Sequence, residues 1–257
     1  MPVRLSLRTM RPVLALLAAA LVAGILARYV VGVGAGAGRT RSVVVTFGDS
    51  LTEGSGSTGT PWPEVLAERL HARGGGRAPR VVNTGIGGNR LLRDGYGESG
   101  LARFDRDVLA RPDVRWVTVL AGINDLGFPG CVEPDAPRVT AEELIAAHRQ
   151  LIARAHAAGL KIYLGTLLPF EGTTSPGYFA ADKERARQAV NAWIRTSDEP
   201  DGVIDFDAAT RDPDHPTRLR PAYDSGDHLH PSTAGHRAMG EAVELRLFEA
   251  QDALPGG

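Results

Sequence analysis

The chain has 257 residues, with 29 Lys and Arg against 30 Asp and Glu, a formal net charge of -1 and 43% hydrophobic residues. That balance lacks the basic excess on which phosphate-backbone binding draws, so it argues against nucleic acid as a partner. A single cysteine, Cys131, excludes an intramolecular disulfide and any CxxC metal or redox motif, and leaves stability to an ordinary packed core.

Arg4, Arg8 and Arg11 precede an uncharged apolar stretch from Val13 to Ala27, and Arg28 and the small-residue run Gly32 to Gly38 follow it. A charged start, an apolar segment of this length and Ala35-Gly36-Ala37 read as a secretory signal peptide over residues 1–37, which makes 38–257 an exported domain. The alternative is an uncleaved anchor that holds the chain to the cell membrane by residues 12–33. Tyr29 to Val33 extend the apolar segment past Arg28 toward the roughly 20 residues that a span needs. A membrane is a partner only in that case.

From Arg41 onward short β-branched runs alternate with longer amphipathic stretches. Ser42 to Phe47 reads as a strand, and Pro63 to Arg73 as a helix with Trp62, Val65, Leu66 and Leu70 on one face. Arg80 to Asn83 is a second strand, Leu101 to Arg111 a second helix and Arg115 to Leu120 a buried third strand. Thr140 to Ala158 is predicted to be a helix opened by a capping box of Thr140 and Glu143 and stopped by Gly159. Lys161 to Leu167, Phe179 to Arg195, Gly202 to Phe206 and Ser232 to Ala250 complete the series. Five strands alternating with five helices predict parallel pairing through right-handed crossovers, hence an α/β fold with three α/β/α layers. Ligands in such folds sit beyond the carboxyl ends of the strands at a topological switch point, so the chemistry is expected just after Phe47, Asn83, Leu120 and Phe206.

Two patterns invite other readings. Gly54 to Gly59 satisfies GxGxxG, but residues intervene between it and the strand, and Thr60-Pro61-Trp62-Pro63 follows in place of a helix start; a glycine loop beside a site fits better than a dinucleotide cradle. His215, His228, His230 and His236, near Asp212, Asp214, Asp224 and Asp227, lack HExxH or similar helical spacing, so neither a metal nor a cofactor is expected.

Gly48-Asp49-Ser50-Leu51 directly follows the first strand, where a serine beside a glycine that allows a sharp turn projects into the crevice. Serine needs a base. Asp227-His228-Leu229-His230-Pro231 supplies one: Asp227 can accept the Nδ1 proton of His230 and leave Nε2 free to take the proton of Ser50. His228 competes for that part, but along an extended backbone an adjacent residue points away, whereas the residue three positions on can fold back. Donors for a developing oxyanion lie after two further strands, in Asn83-Thr84-Gly85-Ile86-Gly87-Gly88-Asn89 and in Gly122-Ile123-Asn124-Asp125.

These four segments, in this order and at these strand ends, resemble the motif blocks of the SGNH (GDSL-type) hydrolase superfamily. The likeness spans Val43 to about Gly240. It implies a flavodoxin-like five-stranded parallel sheet and ester hydrolysis with Ser50 as nucleophile, His230 as base and Asp227 orienting it. The N-H groups of Ser50 and Gly88 and the side chain of Asn124 would form the oxyanion hole; Gly88 is chosen over Gly87 because the family's glycine falls five residues after the block's asparagine, here Asn83. No GxSxG is present, against an α/β-hydrolase origin. The stretches around Trp62-Pro63, GGNRLL and GLARFDRDVLARP are similar to secreted bacterial esterases related to acetylxylan and other carbohydrate esterases. Trp62, Tyr96, Phe128 and Tyr178 are candidate walls of an acyl or sugar pocket, and Cys131 is a bystander thiol. The expected protein is a monomeric serine esterase acting on a small ester or acylated carbohydrate. An acyltransferase or lysophospholipase with the same residues, and a non-catalytic carbohydrate-binding domain, are the alternatives.

Overall fold

β-Branched residues open the fold: Val43, Val44, Val45 and Thr46 lead strand β1 (Val43–Gly48), which is buried along its whole length. In the computed structural model, which describes residues 41–249, β1 pairs in parallel with β2 (Arg80–Gly85) on one side and β3 (Val114–Leu120) on the other. Strands β4 (Lys161–Gly165) and β5 (Gly202–Ile204) extend the sheet to the order β2-β1-β3-β4-β5. The expected signal peptide or anchor lies outside the described residues. Both faces of the sheet are covered, so its inner strands read as nearly continuous apolar runs.

Helix α1 (Ser50–Glu53) is a single turn after β1, and α2 (Trp62–Gly74), α3 (Gly100–Phe104), α4 (Ile123–Gly127), α5 (Ala141–Ala157), α6 (Ala181–Thr196), α7 (Phe206–Thr210) and α8 (Thr233–Ala242) follow. Helix α2 packs with α8, and α5 packs with α3 and α6. The predicted capping box is present: Glu143 N-H donates to Thr140 Oγ1 (3.2 Å) and Thr140 N-H to Glu143 Oε2 (2.8 Å). Leu144, Ala147, His148, Leu151 and Ala155 form the buried stripe of α5, at the spacing of one helix face.

The chain leaves β1 for β2 on one side and then returns past β1 to β3, which makes the β1/β3 boundary the switch point. Gly48 is level with Gly85 in β2 and Leu120 in β3. Three loops therefore leave the sheet side by side.

Several element boundaries differ from those predicted. The short helices α1, α4 and α7 were not expected, because periodicity cannot register a single turn. The second long helix ends as α at Phe104 and continues as one π turn over Asp105–Leu109. The strand expected over 161–167 stops at Gly165, and Phe206, expected at the end of β5, instead begins α7. Helix α6 starts at Ala181, after an extended Ala180 (φ -157°), where Phe179 was expected. The last helix stops at Ala242 where Ala250 was expected. Arg69 Nη1 donates to the carbonyls of Gly240 (2.5 Å) and Val243 (2.8 Å), taking acceptors that a further helical turn would use. The chain then turns so that Phe248 meets Trp116 (6.2 Å) and Tyr163 (5.6 Å) edge-on.

His148 is fully buried on α5, 6.3 Å from the Trp193 ring, and burial pushes its imidazole down to about 4. Because the folded value lies below the unfolded one, protons favour the unfolded chain, and the stability tied to neutral His148 is lost as pH falls from about 6.5 toward 4. The gap corresponds to about 3 kcal/mol. Thermal denaturation across this range should show wild type losing more stability than His148→Leu; parallel curves would contradict a buried neutral histidine.

Candidate active site

Ser50 opens α1, with Asp49 as its N-cap: Asp49 Oδ1 accepts the Leu51 N-H at 3.0 Å. Ser50 is buried, and as a first-turn residue its N-H has no acceptor within the helix. Asp49 is wholly enclosed, and burial pushes its carboxyl up to about 7 against the pull of the Leu51 hydrogen bond.

The loop before α8 brings its histidine to the serine. His230 Nε2 lies 3.0 Å from Ser50 Oγ, and His230 Nδ1 lies 2.6 Å from Asp227 Oδ2. Asp227 Oδ1 also accepts the N-H groups of Leu229 (3.0 Å) and His230 (2.8 Å). Partial burial works to raise the Asp227 pKa, but the His230 ring and these two N-H groups outweigh it and hold the carboxyl well below the usual carboxylate range. The carboxylate thus stays charged and fixes which ring nitrogen carries the proton.

His228, the competing base, is turned away, for a different reason than expected. The backbone there is not extended: His228 sits at φ 59°, and its ring pairs with Asp224. The left-handed residue folds the loop back, which lets Asp227 reach His230 three residues on.

The two other strand-end loops are tied together. Gly88 occupies a turn closed by Asn89 N-H to Ile86 O (3.0 Å), at φ 69°, a conformation that favours glycine. Asn124 lies on α4, nearly fully buried; its Nδ2 donates to Asn89 O (2.9 Å) and its Oδ1 accepts from the Tyr178 hydroxyl (2.8 Å). Next to it, Asp125 accepts the N-H groups of Leu91 (2.7 Å) and Leu92 (2.9 Å), which fastens the Gly88 loop to α4; burial pushes this carboxyl up to about 6. Tying these loops falls to Asp125, Asn89 and Tyr178, parts the sequence did not suggest. The signal for Asp125 and Asn89 was their place beside Asn124 and Gly88, whereas nothing local marks Tyr178. Of the chain after β5, α7 itself supplies none of the residues gathered around Ser50, whereas the long loop between α7 and α8 supplies Asp227 and His230.

The candidate wall aromatics divide. Trp62 is fully buried with its ring 5.0 Å from Phe206, and Tyr178 and Phe128 are buried 6.1 Å apart. Tyr96 is 59% exposed, stands 5.8 Å from Phe128, and its ring covers Gly88, where an added Cβ would lie 2.8 Å from Tyr96 Cγ. The glycine loop 54–59 packs against His230: a Cβ on Gly56 would lie 2.7 Å from His230 Cβ. Thr233 and His236 pin the loop through Thr58 N-H to Thr233 Oγ1 (3.2 Å) and His236 Nε2 to Ser55 O (3.1 Å). Among the described residues no group of three or more His, Cys, Asp or Glu could hold a metal ion, and Cys131 is a half-buried free thiol.

Comparison with known proteins places the chain. The model of the GDSL-like Lipase/Acylhydrolase family matches residues 46–238. An acetylxylan esterase of Geobacillus stearothermophilus is 30% identical over 218 residues, covering 76% of this chain and 89% of that protein. A crystal structure of an acetylxylan esterase from the same organism superposes with a TM-score of 0.60 at 26% identity, over 82% of this chain and 95% of the other. A GDSL-like lipase of Bacteroides thetaiotaomicron superposes with a TM-score of 0.60 over 86% of this chain and 95% of the other; at 20% identity this likeness speaks to the fold alone. With a serine, a histidine and an aspartate in hydrogen-bonded line at the switch point, the chain belongs to the GDSL-like lipase/acylhydrolase family and is an ester-hydrolysing serine hydrolase.

Proposed function

We propose that this chain is an exported serine esterase that removes acetyl or other short acyl groups, with acylated carbohydrate as its substrate class. The observation that carries the reading is the line Ser50 Oγ, His230 Nε2, His230 Nδ1 and Asp227 Oδ2, with spacings of 3.0 and 2.6 Å. Ser50 attacks the ester carbonyl while His230 takes its proton, and Asp227 steadies the imidazolium. The oxyanion is met by the N-H groups of Ser50 and Gly88 and by the Asn124 N-H that Asn89 does not use. His230 returns the proton to the leaving alcohol, and water then releases the acyl group by the reverse sequence. The carbohydrate assignment is supported by the acetylxylan esterases that the chain resembles and by Tyr96, an exposed ring beside Gly88 on which a sugar can stack. Export rests on the charged and apolar pattern of residues 1–37, with anchoring by residues 12–33 as the other outcome.

Purified Ser50→Ala is expected to lose at least about 10⁴-fold in kcat on p-nitrophenyl acetate. Asn124→Ala, which deletes one oxyanion donor, should lose about 10²- to 10³-fold with little change in KM. Wild-type rates from Ser50→Ala would overturn the assignment of the nucleophile.

Across a p-nitrophenyl ester series, acetate and propionate should be turned over faster than octanoate, and acetate should be released from acetylated xylan. Faster turnover of octanoate would point to a lipid substrate, and capture of the acyl group by an added sugar ahead of water would make the enzyme a transferase. N-terminal sequencing of the exported protein should begin near Gly38; recovery of the full chain in membranes would favour the anchor.

A further inference from the structure

Tyr178 carries a buried hydroxyl that the reaction scheme does not use. It donates to Asn124 Oδ1 at 2.8 Å, on the opposite end of the amide from the Nδ2 that donates to Asn89 O at 2.9 Å. A side-chain amide has a donor end and an acceptor end of nearly equal shape, so half a turn exchanges them. The carbonyl of Asn89 accepts only, and it selects the orientation with NH2 toward it. The Tyr178 hydroxyl satisfies the other end, which in a side chain only 3% exposed would otherwise be a buried carbonyl without a donor. Donation to Oδ1 also polarises the amide and strengthens its remaining N-H as a donor.

The phenol is itself held. Its ring lies directly over α4, the helix that carries Asn124: an added Cβ on Gly127 would lie 2.1 Å from Tyr178 Cζ, so only glycine admits the ring there. Lys183, 2% exposed, donates to the carbonyls of Gly127 (2.7 Å), Gly177 (2.6 Å) and Tyr178 (2.9 Å), clamping the end of α4 to the segment that bears the tyrosine. Burial, with the nearby carboxylates of Asp49 and Asp125, raises the Tyr178 hydroxyl well above its ordinary value, so it keeps the proton it donates.

We propose that Tyr178 is a positioning residue of the oxyanion hole, fixing the Asn124 amide with an N-H presented to the developing oxyanion, and that Lys183 fixes Tyr178 in turn. This rests on the role of Asn124 proposed above, and a double-mutant cycle separates the two. Tyr178→Phe keeps the ring and removes only the hydroxyl. On p-nitrophenyl acetate it should lower kcat about tenfold, the equivalent of one hydrogen bond, with KM within about twofold of wild type. In an Asn124→Ala background the same change should cost less than about twofold, because its target is gone. Lys183→Met, which keeps the apolar stem and removes the donor to the three carbonyls, should repeat this pattern and serves where Tyr178→Phe folds poorly by thermal denaturation. A wild-type kcat for folded Tyr178→Phe, a loss expressed in KM, or a loss that persists undiminished in Asn124→Ala overturns the proposal. Full activity of Asn124→Ala overturns instead the oxyanion reading on which it rests.

Discussion

Arg103 carries a guanidinium into the interior with 1% of the residue exposed, and there it donates to Gly48 O (2.7 Å), Thr84 O (2.9 Å) and Asn89 Oδ1 (3.0 Å). Those acceptors belong to the ends of β1 and β2 and to the loop beyond β2, where the ladder gives out and carbonyls must find other donors. The cation lies 4.0 Å over the Phe47 ring and pairs with Asp107 (2.9 Å), in the π turn that interrupts the second helix. Burial depresses the guanidinium pKa, but arginine begins far enough above neutrality to stay charged, and its planar fork reaches several acceptors at once. Register alone brings the strand ends level; this buried cation holds them in the divergence from which the serine and glycine loops start.

The carboxylates around the site are set apart by their surroundings. Burial raises both Asp49 and Asp125, to about 7 and about 6, because few donors compensate the lost water. Asp227 experiences the reverse, since two backbone N-H groups and the His230 ring meet a carboxylate that is still partly open to solvent. In the proposed reaction the group that stabilises a transient imidazolium needs to be ionised throughout, and Asp227 is the one so placed. Asp49 and Asp125 serve geometry: one caps the serine's helical turn, the other ties the glycine loop to the asparagine's helix.

Much of this was legible in the residues. The parallel sheet followed from short β-branched runs alternating with amphipathic ones, since that pattern admits few other layerings, and the capping box of α5 is a local signal that the structure repeats. Ser50, His230 and Asp227 were recognisable because each lies in a short motif next to a strand end or a helix start. Short elements were not legible: α1, α4 and α7 have too few residues to show a period, and the end of α8 is decided by Arg69, distant in sequence. The preference for His230 over His228 assumed an extended backbone there, whereas His228 is left-handed, a φ that depends on the fold of the whole loop.

By itself, then, the sequence determined the layered α/β class, singled out Ser50, His230, Asp227 and Asn124 as candidates, and excluded an intramolecular disulfide, because each depends on residue type and short spacing. Only the tertiary structure decided how these groups meet. Ser50 and His230 stand 180 positions apart and come within 3.0 Å through the sheet order. Tyr178 reaches Asn124 across 54 positions, and Arg103 reaches Gly48 across 55. Such contacts leave no local mark, since the partner of a buried donor is set by which strand ends and loops the crossovers bring together.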